Sequence, residues 1–215
     1  MAIQHHPDIS TLMSCAAGSQ PEALAAVVAS HVAMCPACNS ELRKMQQIGV
    51  ALFEKLPAAD VIAKAPVIGA RAAEAESDIP EAHHSAVGDV PAHLAPLLGA
   101  NLDSVAWKLL APGIWHYPIP LSKGAKGDLR LVKVAPGKEL PEHGHAGEEL
   151  TLLLRGSYRD EVGTFKTGDI ADLDNDIEHR PVADPETGCI CLIASEKKAR
   201  FKGLIARLVQ PFTGI

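Results

Sequence analysis

The chain has 215 residues with a formal net charge of -6, and 47% of its residues are hydrophobic. The acidic balance and the aromatic content of only 4% argue against a protein that binds nucleic acid through basic patches or stacked bases. No apolar run approaches the roughly 20 residues that cross a bilayer, and the N-terminus MAIQHHPDIS lacks the basic start and apolar core of a secretory signal. The sequence therefore predicts a soluble cytoplasmic protein with room for one ordinary domain or two small ones.

The first part of the chain has the pattern of helices. Residues 7–17 predict a short opening helix that ends at Gly18. Pro21 and the acidic Glu22 predict the start of a second helix, since proline and acidic residues are favoured in a first helical turn. A third helix is predicted over 40–56, and helix-forming residues beyond Pro66 predict a fourth.

A metal-ligand pattern follows the second predicted helix. His31, Cys35 and Cys38 form H-x3-C-x2-C, in which the first two residues are one helical turn apart and share a face. Zinc is the natural ion for mixed cysteine and histidine ligands in a tetrahedral site. His6 is the preferred fourth ligand because it stands at the start of the first helix, with His5 as the alternative.

Two alternative roles for these cysteines remain open. A CxxC pair can be redox-active, although such a pair usually follows a strand and here a helix precedes it. The thiols could also be ordinary core residues, which is how we interpret Cys15. A structural zinc fits best, because a helical unit of this size has a thin core that a metal would stabilise. The five cysteines are odd in number, so a disulfide framework is not expected.

The middle of the chain differs in amino-acid composition from both ends. Residues 57–106 carry seven acidic and two basic residues and contain five of the prolines. We interpret 86–106 as a linker, and His83, His84 and His93 as solvated linker residues.

The last part of the chain changes to short runs typical of strands. Apolar runs over 129–134, 149–156 and 189–194 are separated by glycine-containing turns. Such spacing predicts an antiparallel sandwich or barrel. The basic tail over 196–215 predicts an amphipathic helix packed on this domain.

A second possible metal site lies in this region. His143 and His145 are two residues apart, so on extended backbone both side chains point to the same face. Glu149 adds an oxygen ligand, with Glu148 as a competitor, and His179 completes a set of three histidines and one carboxylate. Such a set suits zinc, iron, manganese or nickel. Cys189 and Cys191 share one side of a strand, where we expect core packing, with an oxidation sensor as the alternative.

The spacings G137-x5-H143-x-H145-x3-E149-x6-G156 and G168-x10-H179 resemble the two cupin motifs. The second departs from the usual pattern, with Asp174 where proline is common and Asp176 where glycine is common. The resemblance covers about 107–195 and implies a small β-barrel with a metal ion inside, held by His143, His145, Glu149 and His179.

The helical metal unit and the cupin together resemble the ChrR-type anti-sigma factors over nearly the whole chain. The resemblance implies an α+β protein, with a small all-α zinc-binding domain over 1–85, a linker over 86–106, an antiparallel cupin barrel over 107–195 and a terminal helix over 196–215. It implies that the helices bind and inhibit an extracytoplasmic-function-type sigma factor, and that the cupin, with a second metal, serves release under oxidative stress of the singlet-oxygen kind. It implies a regulator without direct contact to nucleic acid or membrane.

Two alternatives belong to other classes. The chain could be a cupin dioxygenase or isomerase with a helical oligomerisation domain, or a module that senses a metal or small ligand. Leu24, Val27 and Val28 on the second helix, and Met45, Ile48 and Leu52 on the third, are candidates for core or partner contact that the sequence does not sort.

Overall fold

A computed structural model describes residues 2–56, 89–92, 94–144, 147–173, 178–197 and 200–201. The helix predicted beyond Pro66, the linker histidines His83, His84 and His93, and the ligand candidate His145 lie outside these residues. We refer to residues 2–56 as the helical unit and to the described residues from 107 onward as the β unit.

Three helices form the helical unit, and their ends follow from local sequence. The carboxylate of Asp8 accepts a hydrogen bond of 2.9 Å from the Ser10 N–H and so caps the first helix. The backbone of Cys35 is extended, with φ -112° and ψ 103°, so the second helix ends there and Pro36 opens the third. The helices are α1 (Ile9–Ala16), α2 (Glu22–Met34) and α3 (Pro36–Phe53).

Eleven antiparallel strands follow in the described residues. They are β1 (Lys108–Ala111), β2 (Ile114–Pro118), β3 (Asp128–Val134), β4 (His143–Gly144), β5 (Glu149–Arg159), β6 (Thr164–Lys166), β7 (Ile170–Leu173), β8 (Glu178–His179), β9 (Val182–Ala183), β10 (Cys189–Ser195) and β11 (Arg200–Phe201). The larger sheet has the order β1-β2-β3-β10-β5-β6, with β7 and β9 paired to β5, and a smaller sheet has the order β11-β4-β8. The predicted α+β class, helices first and an antiparallel β domain second, is confirmed.

The helix α2 joins the two units. Leu24, Val27 and Val28 are fully buried, and they belong to one core cluster with Leu152 and Leu192 of strands β5 and β10. The alternation along β5 and β10 turns these leucines toward the helix. The apolar residues of α2 are therefore core residues and do not form a free surface.

The described part of the predicted linker differs from the prediction, because it packs in this same core. A short helix, α4 (Ala95–Leu98), and a 3-10 turn at Leu102–Ser104 follow Val90. Val90 and Leu102 are fully buried. Arg155 of β5 forms ion pairs with Asp89 and Asp103, which fix this segment to the sheet.

The described start of the tail also differs from the predicted helix. Arg200 and Phe201 form β11 and pair with Gly144 and His143 of β4. An unpaired edge of the small sheet is thereby covered, which explains why a strand is favoured over a helix at these two positions. The remainder of the predicted tail helix, 202–215, lies outside the described residues.

Among the described residues, no single helix is both long and apolar enough to cross a membrane. Only Glu22–Met34 and Pro36–Phe53 taken together, as a pair bent by 119°, reach the required length and composition.

Candidate metal centre

Four potential metal ligands converge where α2 meets α3. His31 lies on the last turn of α2, and Cys35 follows one turn later. The bend at Cys35 brings the first turn of α3 back, so that the Cys38 N–H points at the Cys35 Sγ at 3.5 Å. His6 approaches from the extended segment before α1. We call His6, His31, Cys35 and Cys38 the helical metal site.

The spacing of the four donor atoms fits a tetrahedral ion. The Cys38 Sγ lies 3.3 Å from His31 Nε2 and 3.3 Å from His6 Nδ1, and the Cys35 Sγ lies 3.5 Å from the same His6 atom. All four donors lie within 4.8 Å of one another. Zinc bonds to sulfur and nitrogen place such ligands about 3.6 Å apart at the corners of a tetrahedron. The residues present therefore fit a metal ion, and the donor set is the one that zinc prefers.

Burial shifts the pKa of two of the four donors, His31 and Cys38. It lowers the pKa of His31 to about 4, which keeps the imidazole neutral and able to bind a metal. Burial, together with the neighbouring Cys35, raises the pKa of Cys38 to about 12. Without a cation the Cys38 thiol is thus protonated, and an ion that binds there must displace its proton.

The second nitrogen of His31 has a partner in the β unit. His31 Nδ1 lies 2.9 Å from the carbonyl oxygen of Gly168, in the turn between β6 and β7. A carbonyl only accepts hydrogen bonds, so Nδ1 carries the proton and Nε2 presents its lone pair toward Cys38. This arrangement is typical of metal-bound histidine, whose outer nitrogen donates to a carbonyl or carboxylate.

The cysteine on α1 stands apart from this site. Cys15 is half-buried at the edge of the main core cluster, and burial raises the pKa of its thiol. It is not part of the group of donors that converge on one point. This placement agrees with its interpretation as a packing residue.

The structure describes only part of the predicted cupin metal site. His143 in β4 pairs directly with His179 in β8, and Glu149 is the buried first residue of β5. His145 and the side chain of His143 lie outside the described part of the chain. The set of three histidines and one carboxylate stays a prediction.

An aspartate that the sequence did not single out contacts His179. Asp160 Oδ2 lies 2.8 Å from His179 Nδ1, and both side chains are buried. Burial alone would raise the pKa of Asp160, but hydrogen bonds from His179 and from the N–H groups of Gly163 and Val162 hold it below its usual value. The ionised carboxylate orients the imidazole through its Nδ1 atom, as outer partners of metal-binding histidines do. In the sequence Asp160 has only the signal of a turn residue.

The cysteine pair on β10 lies inside the β unit. Cys189 and Cys191 are buried with their sulfur atoms 4.0 Å apart, and both belong to a cluster with Tyr158. The contact with Cys189, together with burial, raises the pKa of Cys191 well above its usual value. The pair is part of the described core, as expected for packing residues.

Comparison with known proteins places these features in a family context. A family profile described as the ChrR Cupin-like domain matches residues 98–199. Anti-sigma-E factor ChrR of Cereibacter sphaeroides is 36% identical over 214 residues, covering 99% of each chain. The crystal structure of Rhodobacter sphaeroides SigE in complex with the anti-sigma ChrR contains a chain at 34% identity and a TM-score of 0.75, covering 90% of this chain and 100% of that one.

Proposed function

Because this chain belongs to the ChrR family of anti-sigma factors, we propose that it binds and inhibits a sigma factor of the extracytoplasmic-function type. The chain is a transcription regulator and not an enzyme. A sigma factor acts on RNA polymerase, so the complex would form in the cytoplasm and would contact DNA only through its partner.

One observation carries this proposal. The similarity to the chain in the SigE–ChrR crystal structure covers all of that chain, and therefore includes the helical unit as well as the β unit. A cupin enzyme with an unrelated helical extension would match over the β unit alone. The four-donor cluster in the helical unit adds a feature that an oligomerisation domain does not need.

The helical unit offers an apolar surface for the partner. Ile48 and Leu52 lie one turn apart on α3, and each is 61% exposed. Phe53, the next residue along the chain and the last of α3, is 76% exposed. Apolar helix faces of this kind are the usual contact in helix-in-groove recognition. We call Ile48, Leu52 and Phe53 the α3 face and assign it to the sigma factor.

Zinc in the helical metal site would stabilise this surface. Its ligands come from the segment before α1, from α2 and from the first turn of α3. Zinc would thus tie the ends of the three helices together, which compensates for the small core of the helical unit. The orientation of α3 relative to α2 would then be fixed, and with it the position of the apolar residues that α3 exposes.

A second metal ion is assigned to the β unit. Its ligands are His143, His145, Glu149 and His179, and the Asp160–His179 contact supplies the outer partner that metal-bound histidines normally have. Release of the sigma factor under oxidative stress of the singlet-oxygen kind would begin in this unit. The imidazole of His179, one of the proposed ligands, is a group that singlet oxygen oxidises.

The test of sigma binding uses the full chain. Mixed with the extracytoplasmic-function-type sigma factors of its host, it is expected to form a complex with one of them, measured by size-exclusion chromatography and titration calorimetry. Replacing Cys35→Ser plus Cys38→Ser is expected to abolish the complex. Leu52→Glu is expected to weaken it at least about tenfold, because loss of a central interface side chain typically costs about 2 kcal/mol or more and the introduced carboxylate must also lose its water.

A matched control separates the α3 face from general effects of surface charge. Leu109 of β1 is 67% exposed, close to the 61% of Leu52, so Leu109→Glu makes the same chemical change on the β unit. It should leave the affinity unchanged. Failure of the wild-type chain to bind any sigma factor of its host contradicts the proposed function, and equal effects of the two substitutions contradict the assignment of the α3 face.

A further inference from the structure

The helical metal site is completed by the β unit. Among the described contacts of the His31 imidazole, its one hydrogen-bond partner outside the site is the Gly168 carbonyl, at 2.9 Å from Nδ1. Gly168 belongs to residues 167–169, which we call the β6–β7 turn. The position of one carbonyl in this turn therefore fixes the proton and the orientation of a buried metal ligand.

The same turn holds the segment that carries His6. Asp169 Oδ1 accepts hydrogen bonds from the N–H groups of Gln4, at 2.7 Å, and His5, at 3.1 Å. The Ile170 N–H donates to the His5 carbonyl at 3.2 Å. The backbone directly before His6 is thus attached to the β unit by the side chain of Asp169 and by the N–H of the adjacent Ile170. Two of the four ligands, on separate segments, are positioned by one turn.

The conformation of the turn is specific to glycine. Gly168 has φ +94°, and a Cβ atom at this position would lie 2.7 Å from Cγ1 of Ile3. Ile3 belongs to the same N-terminal segment as His6. A side chain at residue 168 would therefore move both the carbonyl that His31 contacts and the N-terminal segment that leads to His6.

The β6–β7 turn is also hydrogen-bonded to β5, the strand that starts at Glu149. The Gly168 N–H donates to the Leu153 carbonyl at 2.8 Å, and the Leu153 N–H donates to the Asp169 carbonyl at 3.0 Å. Leu153 lies on β5, whose first residue is Glu149 and whose neighbour β10 carries Cys189 and Cys191. Continuous hydrogen bonding therefore joins β5 to His31.

We infer that the β6–β7 turn is the outer shell of the helical metal site, and that the β unit sets through it how tightly the helical unit holds its metal ion. The inference rests on the proposed function for the presence of zinc at these four ligands. Gly168 and Asp169 are positioning residues, since neither contacts the ion. A shift of β5 would move the Gly168 carbonyl and weaken zinc binding without any change in the ligands themselves.

The experiment measures metal affinity in full-length variants. Gly168→Ala and Asp169→Ala are each expected to lower the affinity for zinc at least about tenfold, in the range known for lost outer-shell partners. Competition with a chromophoric chelator gives the affinity. Cobalt substitution gives a second readout, because the thiolate-to-cobalt charge-transfer bands arise from a cysteine site and change when its ligands are reoriented.

Two controls match these substitutions. Gly124 has φ +88° and no atom within 4 Å of its Cβ position, so Gly124→Ala introduces the same backbone strain without the clash. Asp184 accepts the N–H groups of Glu186 and Thr187 in another turn, so Asp184→Ala removes a similar set of hydrogen bonds. Both variants are expected to bind zinc within about twofold of wild type, well short of an outer-shell effect.

The outcomes separate this inference from the proposed function. If both β6–β7 turn variants fold as judged by circular dichroism and hold zinc as tightly as the two controls, the inference is overturned. If the wild-type chain itself binds no metal through its thiolates, the zinc of the proposed function is absent. A selective loss of affinity in the Gly168 and Asp169 variants, with altered cobalt spectra, supports the inference.

Discussion

At the scale of single residues, the choice between two adjacent histidines decides the geometry of the helical metal site. His6 Nδ1 lies 3.3 Å and 3.5 Å from the two thiols. His5 does not belong to the group of converging donors, and its ring lies 4.4 Å from the ring of Phe165 in the β unit. His5 serves the attachment of the segment, whereas His6 is a potential ligand.

Substitution of each histidine distinguishes these two roles. His6→Ala is expected to lower zinc affinity by more than about a hundredfold, beyond the range typical of outer-shell partners, because a three-ligand site leaves one corner open. His5→Ala removes the ring contact with Phe165 and the contact of Nδ1 with Asp169 Oδ2, at 3.3 Å, but keeps the backbone hydrogen bond to Asp169, so a loss of less than about tenfold is expected. Chelator competition measures both. A larger loss of zinc affinity in His5→Ala than in His6→Ala would show that His5, and not His6, is the fourth ligand.

The sequence reached some of these residues and missed others for a physical reason. His31, Cys35 and Cys38 are close in sequence, so helical periodicity together with a turn at the CxxC pair brings them together. The Gly168 carbonyl contacts His31 from 137 residues away, and as a backbone atom it has no side-chain signal. Asp160 likewise reaches His179 only through the pairing of strands.

At the scale of elements, α2 and α3 show why apolar sequence does not by itself identify a docking surface. Both helices carry apolar residues that the sequence left as core or partner candidates. In the structure Leu24 is fully buried between α2 and the sheet, whereas Ile48 is 61% exposed on α3. The two residues differ in exposure because the sheet covers α2. The sequence of a helix does not reveal whether a sheet assembled from distant strands will cover it.

Stability measurements test this division. Leu24→Ala is expected to lower the free energy of unfolding by about 2–5 kcal/mol, because it leaves a cavity in a core shared by both units. Ile48→Ala removes a similar side chain from an exposed position, and a change within about 0.5 kcal/mol is expected. Urea or guanidinium unfolding of the full chain gives both values. A near-neutral Leu24→Ala would mean that α2 does not depend on the sheet for its packing.

In the predicted linker, too, the sequence pattern did not reveal which residues are buried. Its prolines and acidic residues indicated a solvated connection, yet Val90, Leu94, Leu98 and Leu102 are all buried. Their spacing of four residues was visible in the sequence. Proline content hid this pattern, because proline indicates breaks in helices and does not report on burial.

At the scale of the whole molecule, the helical metal site and the proposed metal site of the β unit share one continuous framework. Strand β5 begins at Glu149, contacts the β6–β7 turn through Leu153, and packs against α2 through the main core. The family resemblance predicted two domains and a release signal, but it did not predict where they are joined. A change at Glu149 can therefore reach His31 through these contacts, and linkage requires that any such coupling of binding be reciprocal.

This framework leads to a prediction for release by oxidants. Glu149→Gln removes the proposed carboxylate ligand from the β unit while the α3 face is unchanged, so binding of the sigma factor is expected to persist and its release under singlet oxygen to be lost. Glu148→Gln is the matched control: the adjacent Glu148 is half-buried, and burial, together with Asp172 and Glu196, raises the pKa of its carboxyl. A reporter driven by the sigma factor, with and without a photosensitiser, measures release. Normal induction in the Glu149→Gln variant would remove the β-unit metal from the response, and loss of induction only in the Glu148→Gln variant would transfer the ligand role to the neighbouring residue.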